Sequence, residues 1–337
     1  MKNGKFLTMA FESSCDETAV AVVADGREVL SNVISSQIDI FKNYGGVVPE
    51  IAARHHLENI NAVMEEALRK ADTNLEEIDL IGVTYGPGLV GALLIGIATA
   101  KAVAYAADIP IVGVHHIMGH VSANFIEHKE LEPPFAALIV SGGHTNIASM
   151  ESYTQCRVLG STRDDAAGEA YDKVARVLGL GYPGGPKIDA LAKEGNPNAI
   201  HFKRIMLEKD SLDFSFSGLK TAVLNYMNTQ RQSGHKVNNA DVAASFQQAV
   251  IDVITEKTIS AVKEMRYDKL AIAGGVASNS ALRKALSDAC CKENINLYIP
   301  SPVMCTDNAA MIACAAYYKY KNGEDGLDMD AYASLPL

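Results

Sequence analysis

No two of the six cysteines form a CxxC pair, and their positions, 15, 156, 290, 291, 305 and 314, show no disulfide-like spacing. With no signal peptide ahead of them, they read as reduced thiols of a cytoplasmic protein. Positive charge is scarce: 30 Lys and Arg stand against 40 Asp and Glu, a net charge of −10. That balance argues against a generic nucleic-acid coat, since phosphate binding draws on Lys and Arg, but leaves room for a local basic patch. An unbroken membrane span is also missing. The longest uncharged stretch, Leu80 to Ala100, is interrupted by Gly86-Pro87-Gly88 and then meets Lys101, which suits a buried helix better. A last absence concerns chemistry. In Gly113-Val-His-His-Ile-Met-Gly-His120 the residue after His116 is Ile117, where the zinc-protease motif needs a Glu as general base. Peptidase chemistry would have to find its base elsewhere.

What is present is material for large cores. Hydrophobic residues make up 48% of the 337 and charged residues 21%, enough for roughly two domains. Apolar runs at Leu7–Phe11 and Ala19–Ala24 and a third strand at Arg27–Ile38, with Asp25-Gly26 as a hairpin signal, predict an antiparallel meander. Helical patterns over Val47–Ala71 and Leu89–Ala107 flank a strand at Asp79–Thr84, and a strand at Ile109–Val114 leads into a helix over His116–Ile126. After Glu132-Pro133-Pro134 the pattern restarts: a strand at Phe135–Val140, a polar turn at Ser141–Thr145, a strand at Asn146–Met150. Two units of strand, small-polar turn and strand suggest a duplicated architecture. Further on, the sequence predicts helices over Asp164–Leu178 and Asp241–Met265, with a loop at Gly179–Pro186. Beyond these it predicts a strand at Lys269–Ala273, a helix from about Asn279, a short strand at Leu297–Ile299 and a last helix over Thr306–Tyr318. The stretch Glu194–Asn238 carries no clear pattern, only short helices and loops.

Several of these segments carry chemistry-bearing residues. His116 and His120, four apart, share one helix face and can bind one metal ion; the pair also fits two ordinary histidines on a half-buried helix. The small-polar turns Ser13–Thr18 and Ser141–Thr145 can offer backbone N–H groups to phosphate oxygens, and each alone also fits an ordinary turn. Gly274-Gly-Val-Ala-Ser-Asn279 lets a base or ribose approach the backbone, or simply connects a strand to a helix. Asp165, Glu169, Asp172 and Arg176 lie at helical spacing, as on a solvated face; Asp172, before a Gly-rich loop and Asp189, also suits ribose hydroxyls. Asp307, in Cys305-Thr-Asp-Asn308, reads either as a helix N-cap or as a third metal ligand.

Taken in order, the motifs resemble a known family. They are Glu12-Ser-Ser-Cys-Asp-Glu-Thr18, Gly86-Pro-Gly-Leu-Val-Gly91, His115-His-x-x-x-His120 and Val140-Ser-Gly-Gly-His-Thr145, then Asp164-Asp-Ala-Ala-Gly-Glu-Ala-x-Asp-Lys173. Tyr182-Pro-Gly-Gly-Pro186, Phe214-Ser-Phe-Ser-Gly-Leu-Lys220, Gly274-Gly-Val-Ala-x-Asn279 and Cys305-Thr-Asp-Asn308 complete the set. Over nearly the whole chain this is similar to the bacterial tRNA N6-adenosine threonylcarbamoyltransferases, once labelled O-sialoglycoprotein endopeptidases. The resemblance implies an α/β, two-lobed actin-like fold of the hexokinase and Hsp70 type, with duplicated mixed-sheet lobes and a nucleotide cleft between them. The lobes would be 1–130 plus about 308–337, and 131–307. It implies one divalent metal, Fe(2+) ahead of Zn or Mg, held by His116, His120 and Asp307. Ile139, Val140, Ser141, Gly142, Gly143, Asp172, Gly185, Asp189 and Asn279 would hold an adenylate-type nucleotide, and Glu17 with Asp16 would serve the chemistry. Ala10-Phe11-Glu12 departs from the family's usual Gly-Ile-Glu, a strand substitution that casts no doubt on the site.

The reaction so implied moves the threonylcarbamoyl group of L-threonylcarbamoyl-adenylate to N6 of adenosine 37, in tRNAs reading codons that begin with A, and releases AMP. Rival readings are an ATP-dependent kinase or ATPase of the same fold and a nucleotide-locked scaffold subunit. Implied partners are the tRNA anticodon loop, an inactive paralogue forming a heterodimer, and a small P-loop ATPase; no membrane is implied. Lys203, Arg204, Lys209, Lys220, Arg231, His235 and Lys236 form a local basic cluster that fits anticodon-stem phosphates or a scattered solvated surface.

Overall fold

The structure, a computed structural model, describes residues 4–206, 208, 211–326 and 328–337. It divides into two compact units, one of Met1–Pro133, Met150–Cys156 and Pro300–Leu337, the other of Pro134–Ser149 and Arg157–Ile299.

In the first unit β1 (Leu7–Glu12), β2 (Glu17–Ala24) and β3 (Glu28–Ser36) form the meander, and a short helix α1 (Ile38–Phe41) ends the third run. Asp25 and Gly26 both have positive φ, 49° and 72°, at the centre of a tight turn closed by the Arg27 N–H on the Ala24 carbonyl at 3.1 Å, which joins β2 to β3 through three residues. Then come α2 (Pro49–Lys70), β4 (Leu80–Gly86), α3 (Val90–Ala107), β5 (Ile111–His115) and α4 (His116–Glu127). The sheet order is β3-β2-β1-β4-β5, antiparallel through the meander and parallel from β1 to β4 to β5. Parallel neighbours need a crossover, which α2 and α3 supply. β1, β2 and β4 are buried on both faces, and alternation decides which residues face which layer. Leu7, Met9 and Phe11, with Val20 and Val22, Ile81 and Val83, face Ile60, Val63 and Ala67 of α2 and Leu93, Ile97 and Ala100 of α3 in one core. By length and composition α3 would also suffice to cross a membrane, but its inner side is part of this core.

In the second unit β6 (Phe135–Val140), β7 (Thr145–Met150) and β8 (Cys156–Ser161) are followed by α5 (Ala167–Val177), α6 (Gly184–Ala192), α7 (Ser217–Gln232) and α8 (Asn239–Met265). β9 (Lys269–Ala273), α9 (Ser280–Glu293) and β10 (Asn296–Tyr298) close it. Its sheet order, β10-β9-β6-β7-β8, with β6 to β9 to β10 parallel, repeats the order of the first unit. The duplication suggested by the paired strand–turn–strand motifs is therefore a duplication of sheet topology.

Four local expectations are corrected. β8 went unpredicted because it is an edge strand with Arg157 and Val158 exposed, so it lacks clean alternation. The Gly-rich segment 179–186 is not all loop: α6 begins at Gly184, and Pro186 is tolerated because a first-turn residue has no N–H partner to lose. Helix α5 starts at Ala167, not Asp164. The Asp164 carboxylate instead accepts from the Ser217 N–H and Oγ, the Phe216 N–H and the Ser215 Oγ, and so anchors the start of α7. α7 itself lies in the stretch that had no readable pattern. Lys209 of the basic cluster lies outside the described residues.

After β10 the chain contributes α10 (Pro302–Cys305) and α11 (Ala309–Lys321) to the first unit. α11 covers the second face of that sheet, where small residues allow close approach. A Cβ on Gly82 would fall 2.7 Å from that of Ala316 and 3.2 Å from that of Ala10.

Candidate active site

β5 runs directly into α4, and the junction carries the histidines. His115 is the N-cap: its Nδ1 accepts the Ile117 N–H at 3.2 Å, and its Nε2 faces the Leu335 carbonyl at 3.2 Å. It is thereby turned away from His116 and His120, whose rings meet edge to face with centroids 4.6 Å apart. Asp307 reaches both, its Oδ1 lying 3.2 Å from His120 Nε2 and 3.6 Å from His116 Nε2. Of the two readings for Asp307, the cap is taken by its neighbour. Asn308 Oδ1 accepts the Met311 N–H at 3.0 Å and begins α11, which leaves the Asp307 carboxylate on the histidines.

This donor set fits a divalent metal. One ligand atom from each of the three residues lies within 4.8 Å of the others. His120 is 1% exposed, yet among the described residues its Nδ1 has no hydrogen-bond partner and its Nε2 has only the Asp307 carboxylate nearby, without a hydrogen bond to it, a costly state for a buried imidazole that a cation would relieve. Two imidazoles and one carboxylate match iron or zinc better than magnesium, which prefers oxygen ligands.

Glu12 was missed as a functional residue; its signal was a carboxylate ending an apolar strand. It is buried, and its Oε2 lies 3.0 Å from His116 Nδ1 while accepting the Thr84 hydroxyl at 2.6 Å; its Oε1 accepts the Ser14 N–H at 2.6 Å. Burial opposes its ionisation, but the His116 charge and hydrogen bond prevail and hold Glu12 below the usual carboxylate range. In the same way burial lowers His116, and the Glu12 and Asp307 charges overcome it, raising the imidazole to about 9. A carboxylate on the far nitrogen of a ligating histidine fixes its ring and strengthens it as a donor.

Asp16 and Glu17 stand beside this group, at the start of β2. Asp16 is buried, and Glu17 accepts the Ser36 hydroxyl at 3.1 Å. Burial first, then the charges of Asp307 and Asp16, push Glu17 up to about 10. A cation at Asp307 would remove much of that repulsion.

The second unit brings together the remaining candidates. Ile139 and Val140 are fully buried at the end of β6, so only their backbone is available to a ligand. Gly274 packs on the Val140 carbonyl and Gly168 on that of Ser141, so closely that a Cβ on either would come within about 2.5 Å of it. The loop Ser141–Gly143 thus lies between the Gly274 turn and the start of α5. Around Gly142, Gly143 and Gly185 a Cβ would meet nothing within 4 Å. Asp172 accepts the Gly184 N–H at 2.7 Å, fixing α6, which carries Asp189. Asp189 accepts from the Ser280 hydroxyl at 2.8 Å and from Gln247 at 3.3 Å. Asn279 caps α9 through the Leu282 N–H at 2.9 Å and donates to Gln247 Oε1 at 2.8 Å. Gln247, on α8, carries no signal in the sequence, because an amide inside a long helix belongs to no motif.

The TsaD family model, tRNA N6-adenosine threonylcarbamoyltransferase, matches residues 28–314. The chain belongs to this family. It is accordingly a transferase of tRNA modification, and close relatives agree over nearly full length. The enzyme of that name from Clostridium perfringens (strain SM101 / Type A) is 60% identical over 334 residues, covering 99% of this chain and 98% of the relative. That of Clostridium botulinum (strain Kyoto / Type A2) is 58% identical over 330 residues, covering 98% and 97%. Solved structures support the actin-like α/β fold. HypF of T. kodakarensis superposes with a TM-score of 0.66 at 14% identity over 94% of this chain, which spans about half of that protein (48%). Component A of the (R)-2-hydroxyglutaryl-CoA dehydratase of Acidaminococcus fermentans gives 0.54 at 15% identity, covering 94% of this chain and 98% of that one.

Proposed function

We propose that the chain transfers the threonylcarbamoyl group of L-threonylcarbamoyl-adenylate to N6 of adenosine 37 in tRNAs reading codons that begin with A. The observation that carries the site assignment is the His116–His120–Asp307 group, with Glu12 behind His116 and His120 meeting only the Asp307 carboxylate through its Nε2. These three residues would hold the divalent ion, Fe(2+) in this reading. When bound it would polarise the carbamoyl oxygen or neutralise phosphate charge, which the poorly nucleophilic N6 demands. The rest falls to the chain. Glu12 keeps His116 oriented with its Nδ1 engaged. Backbone at Ser141–Gly143 and the residues Asp172, Gly185, Asp189 and Asn279 would seat the adenylate. Attack forms the N6–carbonyl carbon bond, the carbon–phosphate oxygen bond breaks, and AMP leaves with the electron pair. Glu17, with Asp16 beside it, would take the N6 proton once its neighbouring charge is neutralised. A flexible anticodon loop lets adenosine 37 be splayed out at low cost.

Two features support the partner readings. Val90, Leu94 and Tyr105 lie along the outer side of α3, and Leu57 is exposed on α2. A stripe of this kind suits the paralogue of a heterodimer, to which the small P-loop ATPase would add itself. In the basic cluster Arg204 is paired with Asp252 at 2.7 Å, so Lys203, Lys220, Arg231, His235 and Lys236 are the better candidates for anticodon-stem phosphates. The test is reconstitution with purified tRNA and adenylate, read by nucleoside analysis, for wild type and His120→Ala. Modification should require His120, and isolated chain should turn over poorly until the paralogue and ATPase are added. AMP-free phosphorylation of a small molecule instead would support the kinase reading.

A further inference from the structure

The loop between β1 and β2, which leads to Asp16 and Glu17, is secured at every residue. The Ser13 hydroxyl donates to the Ala92 carbonyl at 2.9 Å, the Ser14 carbonyl accepts the Leu89 N–H at 2.8 Å, and the Asp16 carbonyl accepts the Gln37 N–H at 2.9 Å. The Cys15 carbonyl is met by a side chain from α2. His56 is 0% exposed, and its Nε2 lies 2.9 Å from the Cys15 oxygen. Its other nitrogen, Nδ1, lies 2.8 Å from the hydroxyl of Thr18, itself fully buried. A carbonyl only accepts, so Nε2 carries a proton, and in the neutral ring Nδ1 then accepts the Thr18 hydroxyl proton. The ring is neutral, and burial, which lowers its basicity, keeps it so. A buried imidazole is thus spent on bridging Cys15 and Thr18, the residues flanking Asp16 and Glu17.

We propose that His56 is a positioning residue: from α2 it fixes the separation of Cys15 and Thr18 and thereby aims the Asp16 and Glu17 carboxylates. It is absent from every motif recognised in the sequence and touches no candidate ligand. The role of the carboxylates rests on the transferase reading; the bridging role does not, and the experiment separates the two.

The experiment compares wild type with His56→Ala, His56→Gln and Thr18→Val. Two readouts are taken: the rate at which iodoacetamide alkylates Cys15, resolved by peptide mass spectrometry against exposed Cys291, and single-turnover transfer in the reconstituted complex. Losing a buried hydrogen bond should speed Cys15 alkylation and slow transfer, each on the order of tenfold, in His56→Ala and Thr18→Val. Metal and adenylate affinity should stay within about twofold, and His56→Gln, able to reach the Cys15 carbonyl, should recover part of both losses. Should His56→Ala fail to fold, Thr18→Val carries the test, since it removes one hydroxyl. Unchanged Cys15 alkylation in the folded variants overturns the proposal. So does faster alkylation with transfer at the wild-type rate, which would make the bridge merely structural. If wild type itself transfers nothing, the transferase reading falls, and the Cys15 rates alone decide whether His56 holds the loop.

Discussion

The candidate residues of the two units differ in what the protein has already done for them. In the second unit Asp172, Asp189 and Asn279 all hold internal hydrogen bonds, to Gly184, Ser280, Gln247 and Leu282. In the first unit His120 is buried with no hydrogen bond to either nitrogen and only the Asp307 carboxylate beside its Nε2, and Glu12 and Glu17 are acids enclosed nearby. Buried polar groups are normally satisfied, so an unsatisfied one points to something that belongs there. The comparison teaches that the first group has the donors and the unmet hydrogen-bonding capacity that an external cation would satisfy. The second is a self-supporting frame, whose ligand contacts fall to backbone and to groups with spare acceptor capacity.

The largest effect should break the first group. His120→Ala removes a ligand and should lower metal affinity by more than about 100-fold, measured by chelator competition, with transfer lost alongside. Retained affinity would mean that the unmatched imidazole has another purpose. Glu12→Gln keeps the shape but not the charge behind His116, and should cost about 10- to 100-fold in metal affinity. An effect below threefold would reduce Glu12 to a structural hydrogen-bond acceptor.

Two substitutions sharpen the contrast from the other side. Asp172→Ala should weaken adenylate binding by about 1–3 kcal/mol in calorimetry, because two ribose hydroxyls would lose their acceptor. Asn279→Ala removes the cap of α9 and the bond to Gln247, so it should lower unfolding stability by about 1–2 kcal/mol. If Asn279→Ala instead cost binding alone, the second unit would be no self-supporting frame.

The smallest effect is a pH dependence within the second unit. Burial would raise Asp164, but its hydrogen bonds from Ser215, Phe216 and Ser217 prevail and lower it. A carboxylate depressed in the folded state adds stability above its unfolded pKa, and this is lost as pH falls through the folded value. Urea midpoints of wild type and Asp164→Asn should therefore differ at pH 7 and converge in acid below the ordinary aspartate range. A difference that persists there would assign the effect to shape and not to charge.

Legibility followed the range of the interactions. Strands β1, β2, β4, β6 and β9 could be read as short continuous apolar runs, because they are buried on both faces, and helices α2, α3 and α8 from their length and helical pattern. The spacing of His116 and His120 belonged to the same local geometry. α7 was hidden because its start depends on Asp164, more than fifty residues earlier, and β8 because an edge strand need not alternate. Sequence by itself thus determined the repeated strand–turn–strand units, the histidine pair, the ordered motifs that mark the family and the shortage of positive charge. Only the tertiary structure decided that Asn308 caps α11 while Asp307 turns to the histidines, that Glu12 stands behind His116, and that His56 grips the loop before Glu17. Each of those outcomes joins residues distant along the chain, and which partner a buried polar group finds is settled by packing, not by its neighbours in sequence.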